Sequence, residues 1–171
     1  IEPSEREEPP SGEVASRDLE VASPAARADV DGGNRVRILL VDDHAILRHG
    51  LMTMLAGESD LEVVGEAADG RQAIELARAL VPDVVLMDVS MPQMDGIEAT
   101  RRIKAEFAAM HIIGLSMHDE RDMSARMRAA GACAYVAKSG DMAALLAAIR
   151  DCRSGAHALT HEGAGPTICT D

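Results

Sequence analysis

The sequence contains few cysteines, no long apolar run and no excess of basic residues. Its three cysteines, Cys133, Cys152 and Cys169, are far apart and show no Cys-x-x-Cys spacing. We therefore predict neither a zinc site nor a disulfide framework, and a reducing cytoplasm as the compartment. No apolar run is long enough to span a bilayer, so we expect no membrane contact. The net charge of −12 argues against nucleic acid as the main partner.

The composition divides the chain into a central domain and two flanking segments. Residues 1–34 are rich in Pro, Glu, Ser and Ala, and they hold nine acidic and three basic residues without a sustained apolar period. This composition is typical of a disordered, acidic linker. Residues 35–152 carry the apolar segments of one domain, and residues 153–171 have too little apolar content for another, which predicts a flexible tail.

Within residues 35–152, apolar runs alternate five times with segments of helical period. The candidate strands are 36–41, 61–67, 83–88, 111–116 and 134–138, and the candidate helices are 44–56, 70–80, 96–106, 120–130 and 141–152. Near-continuous apolar runs are typical of strands that are buried on both faces. The alternation therefore predicts an α/β fold, doubly wound, in which a five-stranded parallel sheet has its five helices on both faces.

Polar residues stand where four of these strands end. Asp42 and Asp43 follow the first strand, Asp88 ends the third, Ser116 ends the fourth and Lys138 ends the fifth. Sites in such sheets form outside the carboxyl ends of the strands, so we expect these side chains to converge. Each residue alone has an ordinary explanation, because a strand-end Asp often caps a turn and a lone Lys is usually solvated. Lys138 is nevertheless one of only two lysines beside fifteen arginines.

Three carboxylates in one cleft would repel one another unless a cation joins them. Mg²⁺ binds carboxylate, carbonyl and water oxygens and leaves room for a phosphate. With Lys138 on the other side, such a cleft could neutralise a phosphoryl group in transfer, and Asp88 could act as the nucleophile that forms an acyl phosphate.

Four quoted segments carry a family resemblance. They are "ILLVDDHAILRHGL", "DVVLMDVSMPQMDGIEATRRI", "IIGLSMHDE" and "GACAYVAKS". Residues from about 35 to 152 resemble the receiver domain of two-component systems, the CheY-like or flavodoxin-like fold with strand order 2-1-3-4-5, in the branch of NarL- and FixJ-type regulators. Because several motifs occur at compatible spacings, the resemblance is far more specific than the Asp-Asp pair alone.

The resemblance implies a role for each matching residue. Asp88 matches the phosphoacceptor, Lys138 the lysine that pairs with the phosphoryl group, and Ser116 the hydroxyl that responds to it. Tyr135 matches the aromatic residue that turns inward with that response, and it could otherwise be an ordinary packing residue. The implied Mg²⁺ ligands are Asp42, directly or through water, Asp43, Asp88 and the backbone carbonyl of Ser90. The loop after the phosphoacceptor is matched at Pro92 and Gly96.

Two positions depart from the common receiver pattern, and two histidines border the cleft. Ser139 stands where many receivers have Pro, and Met117 stands where a small residue is common, which bears on access to the phosphoryl group. His44 and His118 are interpreted as exposed loop or helix-start residues, because Mg²⁺ prefers oxygen ligands.

The leading functional hypothesis is a phosphoacceptor that takes a phosphoryl group from a phosphohistidine and switches its surface. One alternative is a Mg²⁺-dependent phosphohydrolase, which would need a second carboxylate two residues after Asp88, where Ser90 stands. Another is a receiver fold kept as an interaction module without phosphorylation. Nucleotide binding is poorly supported, because no Gly-rich phosphate motif follows the first strand.

The resemblance also implies partners. These are a histidine kinase or histidine phosphotransfer domain, and a downstream protein that binds the face formed by the fourth helix, fifth strand and fifth helix. Homodimerisation on phosphorylation is a further expectation, whereas direct nucleic-acid contact by this segment is not expected. For the parent protein, the acidic tether favours the carboxyl-terminal receiver of a hybrid sensor histidine kinase over a DNA-binding response regulator.

Overall fold

The computed structural model describes residues 35–117, 121–138 and 142–154. The predicted linker 1–34, His118, Ser139 and nearly all of the predicted tail lie outside the described residues. Ten elements alternate along the chain in the order strand, helix. The strands are β1 (Val36–Val41), β2 (Leu61–Ala67), β3 (Val84–Asp88), β4 (His111–Ser116) and β5 (Ala134–Ala137). The helices are α1 (Ala45–Leu55), α2 (Gly70–Leu80), α3 (Gly96–Glu106), α4 (Arg121–Ala129) and α5 (Met142–Ser154).

The five strands form one parallel sheet in the order β2-β1-β3-β4-β5, which confirms the predicted fold class. Every residue of β3 is buried, and β1 and β4 are buried except at one position each. These strands are covered on both faces, which explains why their sequences are continuous apolar runs. The edge strand β2 is only partly covered and correspondingly contains two exposed glutamates, Glu62 and Glu66.

Two apolar clusters lie on opposite faces of the sheet. One joins the sheet to α2, α3 and α4, and the other joins it to α1 and α5. Because side chains alternate along a strand, Leu39 and Val41 enter the first cluster while Ile38 and Leu40 enter the second. The helices cover both faces of the sheet, so the polar residues at the strand ends stand on a packed scaffold.

Local sequence signals explain three of the ten helix boundaries. Asp69 accepts hydrogen bonds from the backbone N–H groups of Arg71 and Gln72 at the start of α2, and Asp95 accepts one from Glu98 N at the start of α3. Gly131, with φ of +108°, follows α4 in the conformation that favours glycine. The end of α2 has no such signal, because Val81 takes the left-handed conformation there. Helix α5 ends two residues later than predicted, at Ser154, immediately before Gly155.

The prediction that the chain has no disulfide is wrong. Cys133, directly before β5, is bonded to Cys152 in α5, with a Cα–Cα distance of 6.4 Å. The two residues are 19 positions apart and share no motif, so their pairing depends on how α5 packs against the sheet. Spacing alone could not reveal it. Cys169 lies outside the described residues.

The described segments contain the helices α1 to α5. None of these helices combines the length and the apolar content required to cross a membrane.

Candidate functional site

The site lies at the carboxyl ends of β1, β3, β4 and β5. Asp42 follows β1, Asp88 is the last residue of β3, Ser116 is the last residue of β4, and Lys138 follows β5. The parallel ladder sets their spacing, since Asp88 is paired in register with Leu115 and Ser116 with Ala137. Lys138 N donates a hydrogen bond to Ser116 O at 2.6 Å, which fixes the lysine beside β4.

Lys138 joins two of the carboxylates. Its Nζ lies 2.7 Å from Asp42 Oδ2 and 2.8 Å from Asp88 Oδ2. The lysine side chain is 2% exposed, that of Asp42 0% and that of Asp88 4%, so all three charges are shielded from water. The family resemblance pairs this lysine with a phosphoryl group on Asp88. The structure shows that Asp42 is an equal partner of the same ammonium.

Three hydrogen bonds hold Asp42 in position. Its Oδ1 accepts a hydrogen bond from His44 N at 2.8 Å, its backbone O accepts one from Arg48, and its backbone N donates to Ala67 O. Arg48 also donates to Glu66 at the edge of the sheet. Sequence reasoning missed Arg48, whose only signal is its position one helical turn after His44. These contacts orient the Asp42 carboxylate toward Lys138.

Asp43 and His44 form the more accessible side of the cluster. The side chain of Asp43 is half-buried, and that of His44 is 61% exposed at the N-cap of α1, which agrees with its interpretation as a helix-start residue. His44 Nδ1 nevertheless lies 2.8 Å from Asp43 Oδ1. Ligand atoms from Asp42, Asp43, His44 and Asp88 all lie within 4.8 Å of one another.

Asp88 is an acidic group in an unfavourable environment for its charge. Burial raises the pKa of its carboxyl above the ordinary value, and the nearby Asp42 charge acts in the same direction. The hydrogen bond and positive charge from Lys138 oppose this shift, as does Ser90 N, which donates to Asp88 Oδ1 at 3.2 Å. The carboxylate is therefore poorly neutralised by the protein alone.

The donor set fits a hard divalent cation. Asp42 Oδ2 and Asp43 Oδ1 are buried without a hydrogen-bond donor in line with them, although Lys138 and His44 respectively lie within ion-pair distance. Three carboxylates against one ammonium leave uncompensated negative charge. Oxygen ligands and uncompensated charge are what Mg²⁺ requires, and a histidine at the exposed side is not needed for it.

Gly96 shows why the loop after Asp88 must be small at this point. Its N–H donates to Val89 O at 3.0 Å, which brings the start of α3 against the end of β3. A Cβ at this position would overlap the backbone carbonyl of Asp88. The glycine therefore allows helix α3 to begin directly beside the acidic cluster.

Ser116 and Tyr135 take the places that the strand order gives them. Ser116 is buried at the end of β4, adjoining the cluster through its backbone bond with Lys138. Tyr135 is half-buried and opposite Gly114 in the ladder; a Cβ at Gly114 would lie 3.1 Å from the tyrosine ring. The ring packs against the cluster formed with α2, α3 and α4. Met117, after Ser116, is 51% exposed.

Comparison with known proteins agrees with this geometry. Residues 38–150 match the model of the response regulator receiver domain. The transcriptional regulatory protein LiaR of Bacillus subtilis is 41% identical over 133 residues, which are 78% of this chain and 63% of LiaR. The response regulator UvrY of Escherichia coli is 41% identical over 120 residues, 70% of this chain and 55% of UvrY. The chain thus spans about half to two thirds of these curated relatives.

Two solved structures give the same result. A LuxR-family two-component response regulator from Aurantimonas has 40% identity and a TM-score of 0.69, with 71% of this chain and 86% of that chain covered. The signal receiver domain of a response regulator NarL from Mycobacterium tuberculosis has 33% identity and a TM-score of 0.68, with 71% and 98% covered. The chain therefore belongs to the response regulator receiver domain family.

Proposed function

We propose that this receiver domain accepts a phosphoryl group on Asp88 from a phosphohistidine of a partner protein. The observation that supports this most is the shared ammonium of Lys138, buried between Asp42 and Asp88 beside a cluster of oxygen ligands. In the reaction an Asp88 oxygen bonds to phosphorus, the phosphorus–nitrogen bond of the donor breaks, and the released imidazole takes up a proton.

The residues of the site have distinct proposed roles in this transfer. Asp42, Asp43, Asp88 and the Ser90 carbonyl would hold Mg²⁺, which neutralises charge on the phosphoryl oxygens. Lys138 provides a second positive charge at a fixed position, and Ser116 provides a hydroxyl donor at the end of the neighbouring strand. Movement of Ser116 would then change the packing of Tyr135 on the neighbouring strand β5.

An Mg²⁺-dependent labelling experiment tests the proposal. The full chain is incubated with acetyl phosphate and Mg²⁺ and analysed by intact mass. We expect one phosphate per chain that hydroxylamine removes, that excess chelator prevents, and that Asp88→Asn and Asp43→Ala abolish. Asp83→Asn is the matched control, because Asp83 precedes the same strand at its opposite end and binds Arg37 N. Labelling of Asp88→Asn equal to that of the control would refute the assignment.

The partners follow from the same reaction. The donor would be a histidine kinase or a histidine phosphotransfer domain, acting in the cytoplasm, and the altered surface would be the face of α4, β5 and α5. We propose that this face binds a downstream protein or a second copy of the chain after phosphorylation. Sedimentation with and without beryllofluoride, a mimic of the phosphoryl group, tests the second copy: an unchanged sedimentation coefficient excludes it.

The relatives favour a transcriptional regulator as the parent protein over the hybrid kinase. LiaR is named a transcriptional regulatory protein, and UvrY is named a response regulator. We therefore propose that this receiver controls a DNA-binding output, and the relatives give no support to the expectation that nucleic acid is absent from its partners. The coding sequence on either side of this segment distinguishes a transcriptional regulator from a hybrid kinase. A helix-turn-helix encoded after Asp171 supports the regulator, and a kinase core encoded before Ile1 supports the hybrid.

A further inference from the structure

The Cys133–Cys152 bond lies outside the acidic cluster and has no part in the proposed phosphoryl transfer. It joins the residue before β5 to the last turns of α5. The loop that it closes contains β5, Lys138 and most of α5. Its two sulfurs differ in access, because Cys152 is 1% exposed whereas Cys133 is half-buried.

We propose that Cys133 and Cys152 form a reversible thiol–disulfide exchange site that reacts with low-molecular-weight thiols and disulfides through Cys133. In reduction, an external thiolate bonds to Cys133 Sγ, the protein S–S bond breaks, and Cys152 leaves and takes up a proton. A second thiolate then attacks the external sulfur of the mixed disulfide and releases Cys133, so two small thiols become one small disulfide. Oxidation is the reverse, with the small disulfide as the oxidant.

The surroundings of the two sulfurs suit both redox states. Cys133 Sγ lies 3.2 Å from Ile112 O, so a thiol at Cys133 has a hydrogen-bond acceptor in place. Cys152 belongs to the apolar cluster that includes Leu145 and Ile149, where a free thiol packs as a small apolar side chain. Because a thiol at Cys133 has an acceptor and a thiol at Cys152 packs as an apolar group, reduction need not unfold the domain.

The redox state of the two cysteines should change how often α5 opens locally. At the same end of α5, Arg150 pairs with Glu58 and Asp60, but these ion pairs are exposed and contribute little. A covalent bond across 19 residues restricts local opening far more. We expect amide hydrogen exchange in α5 to be roughly 100-fold slower in the oxidised protein, in line with the entropic effect of a loop of this length.

The test uses the full chain with Cys169→Ser, which removes the third thiol. The protein is equilibrated in buffers of varied ratio of reduced to oxidised glutathione, quenched with acid, alkylated and weighed. We expect Cys133 and Cys152 to lose and regain alkylation together, as a two-electron transition, while circular dichroism stays native. Because the readout is thiol content, it is independent of phosphorylation at Asp88.

Two variants, each made in the chain that carries Cys169→Ser, identify the reacting sulfur. In Cys152→Ala, Cys133 should form a mixed disulfide with glutathione, whereas in Cys133→Ala the buried Cys152 should stay unmodified in the native protein. The proposal is overturned if the pair remains reduced in the most oxidising buffer, if it can be reduced only after denaturation, or if Cys152 carries the mixed disulfide. Equal hydrogen exchange of α5 in both states would overturn the effect on α5.

Discussion

Replacing Lys138 with Met should expose how much the acidic cluster depends on one ammonium. Met has a similar length and no charge, so the change removes the ion contacts and leaves most of the packing. At an effective dielectric constant of 20, Coulomb's law gives roughly 6 kcal/mol of gross attraction for each of the two carboxylate contacts. These contacts are the ones of 2.7 and 2.8 Å to Asp42 and Asp88.

Part of that attraction offsets the cost of burying the charges. Breaking a buried pair by removing one partner typically costs 3–5 kcal/mol, and here two carboxylates would lose the same partner. We therefore expect Lys138→Met to lower the free energy of unfolding by at least about 3 kcal/mol in chelator. Added Mg²⁺ should stabilise the variant more than the wild type, because the competing positive charge is gone and the cation binds N but not U.

Urea titrations in chelator and in Mg²⁺ measure both effects. Lys104→Met is the control, since Lys104 is the other lysine and donates to Met110 O and Ala108 O in the loop between α3 and β4. It should lose only about 1 kcal/mol, the net value of ordinary hydrogen bonds, and gain as much from Mg²⁺ as the wild type. Stability of Lys138→Met equal to that of the wild type in chelator, or an equal gain from Mg²⁺ in all three proteins, would contradict this role of the ammonium.

Three further changes probe other parts of the site. Because the pKa of Asp88 is raised, folding favours its protonated form, and its ionisation costs stability as pH rises through the interval between the unfolded and folded values. Asp88→Asn should thus be more stable than the wild type by about 1 kcal/mol at neutral pH and lose this advantage in acid. Urea titrations at several pH values measure the difference, and an advantage that grows as the pH falls would contradict the prediction. Gly96→Ala should lower the free energy of unfolding by about 2–4 kcal/mol, because the added Cβ would overlap Asp88 O. Gly50→Ala in α1 is the control: an added Cβ there has no neighbour within 4 Å, so this change should raise stability by up to ~1 kcal/mol. Thermal unfolding of both variants measures the difference, and similar values would contradict the close approach at Gly96. Met117→Ala should shorten the lifetime of the acyl phosphate by admitting water, and an unchanged or longer lifetime in a mass-based decay assay would show that this side chain shields nothing.

The sequence predicts the strands well because a strand that is buried in the sheet requires a run of apolar residues. β1, β2 and β4 have the predicted bounds, and β3 and β5 each differ by one residue at one end. The caps at Asp69 and Asp95 are equally local, as each side chain binds backbone groups two or three residues away. Features of this kind depend on neighbours in the sequence and can be inferred without a structure.

The features that could not be predicted from the sequence depend on contacts between elements that are distant along the chain. The sequence does not distinguish the contacts of the two aspartates, yet Asp42 lies against Lys138 while Asp43 makes the closer contact with the His44 ring. The disulfide and the bond from Arg48 to the Asp42 carbonyl likewise arise from how helices pack on the sheet. Asp42, Asp43, Asp88 and Lys138 lie close together at the strand ends, as predicted, and the roles of all the site residues stay predictions.

The position of Lys138 between two carboxylates has a consequence for the rate of the proposed transfer. A solvated lysine would have to lose its water when a phosphoryl group arrives, which would add to the barrier. Lys138 has already lost that water during folding, and its contact with Asp42 can persist while the contact with Asp88 is exchanged for phosphoryl oxygens. The reorganisation required is then a small rotation about one end of a side chain, so the environment of the transition state is largely in place before the donor binds.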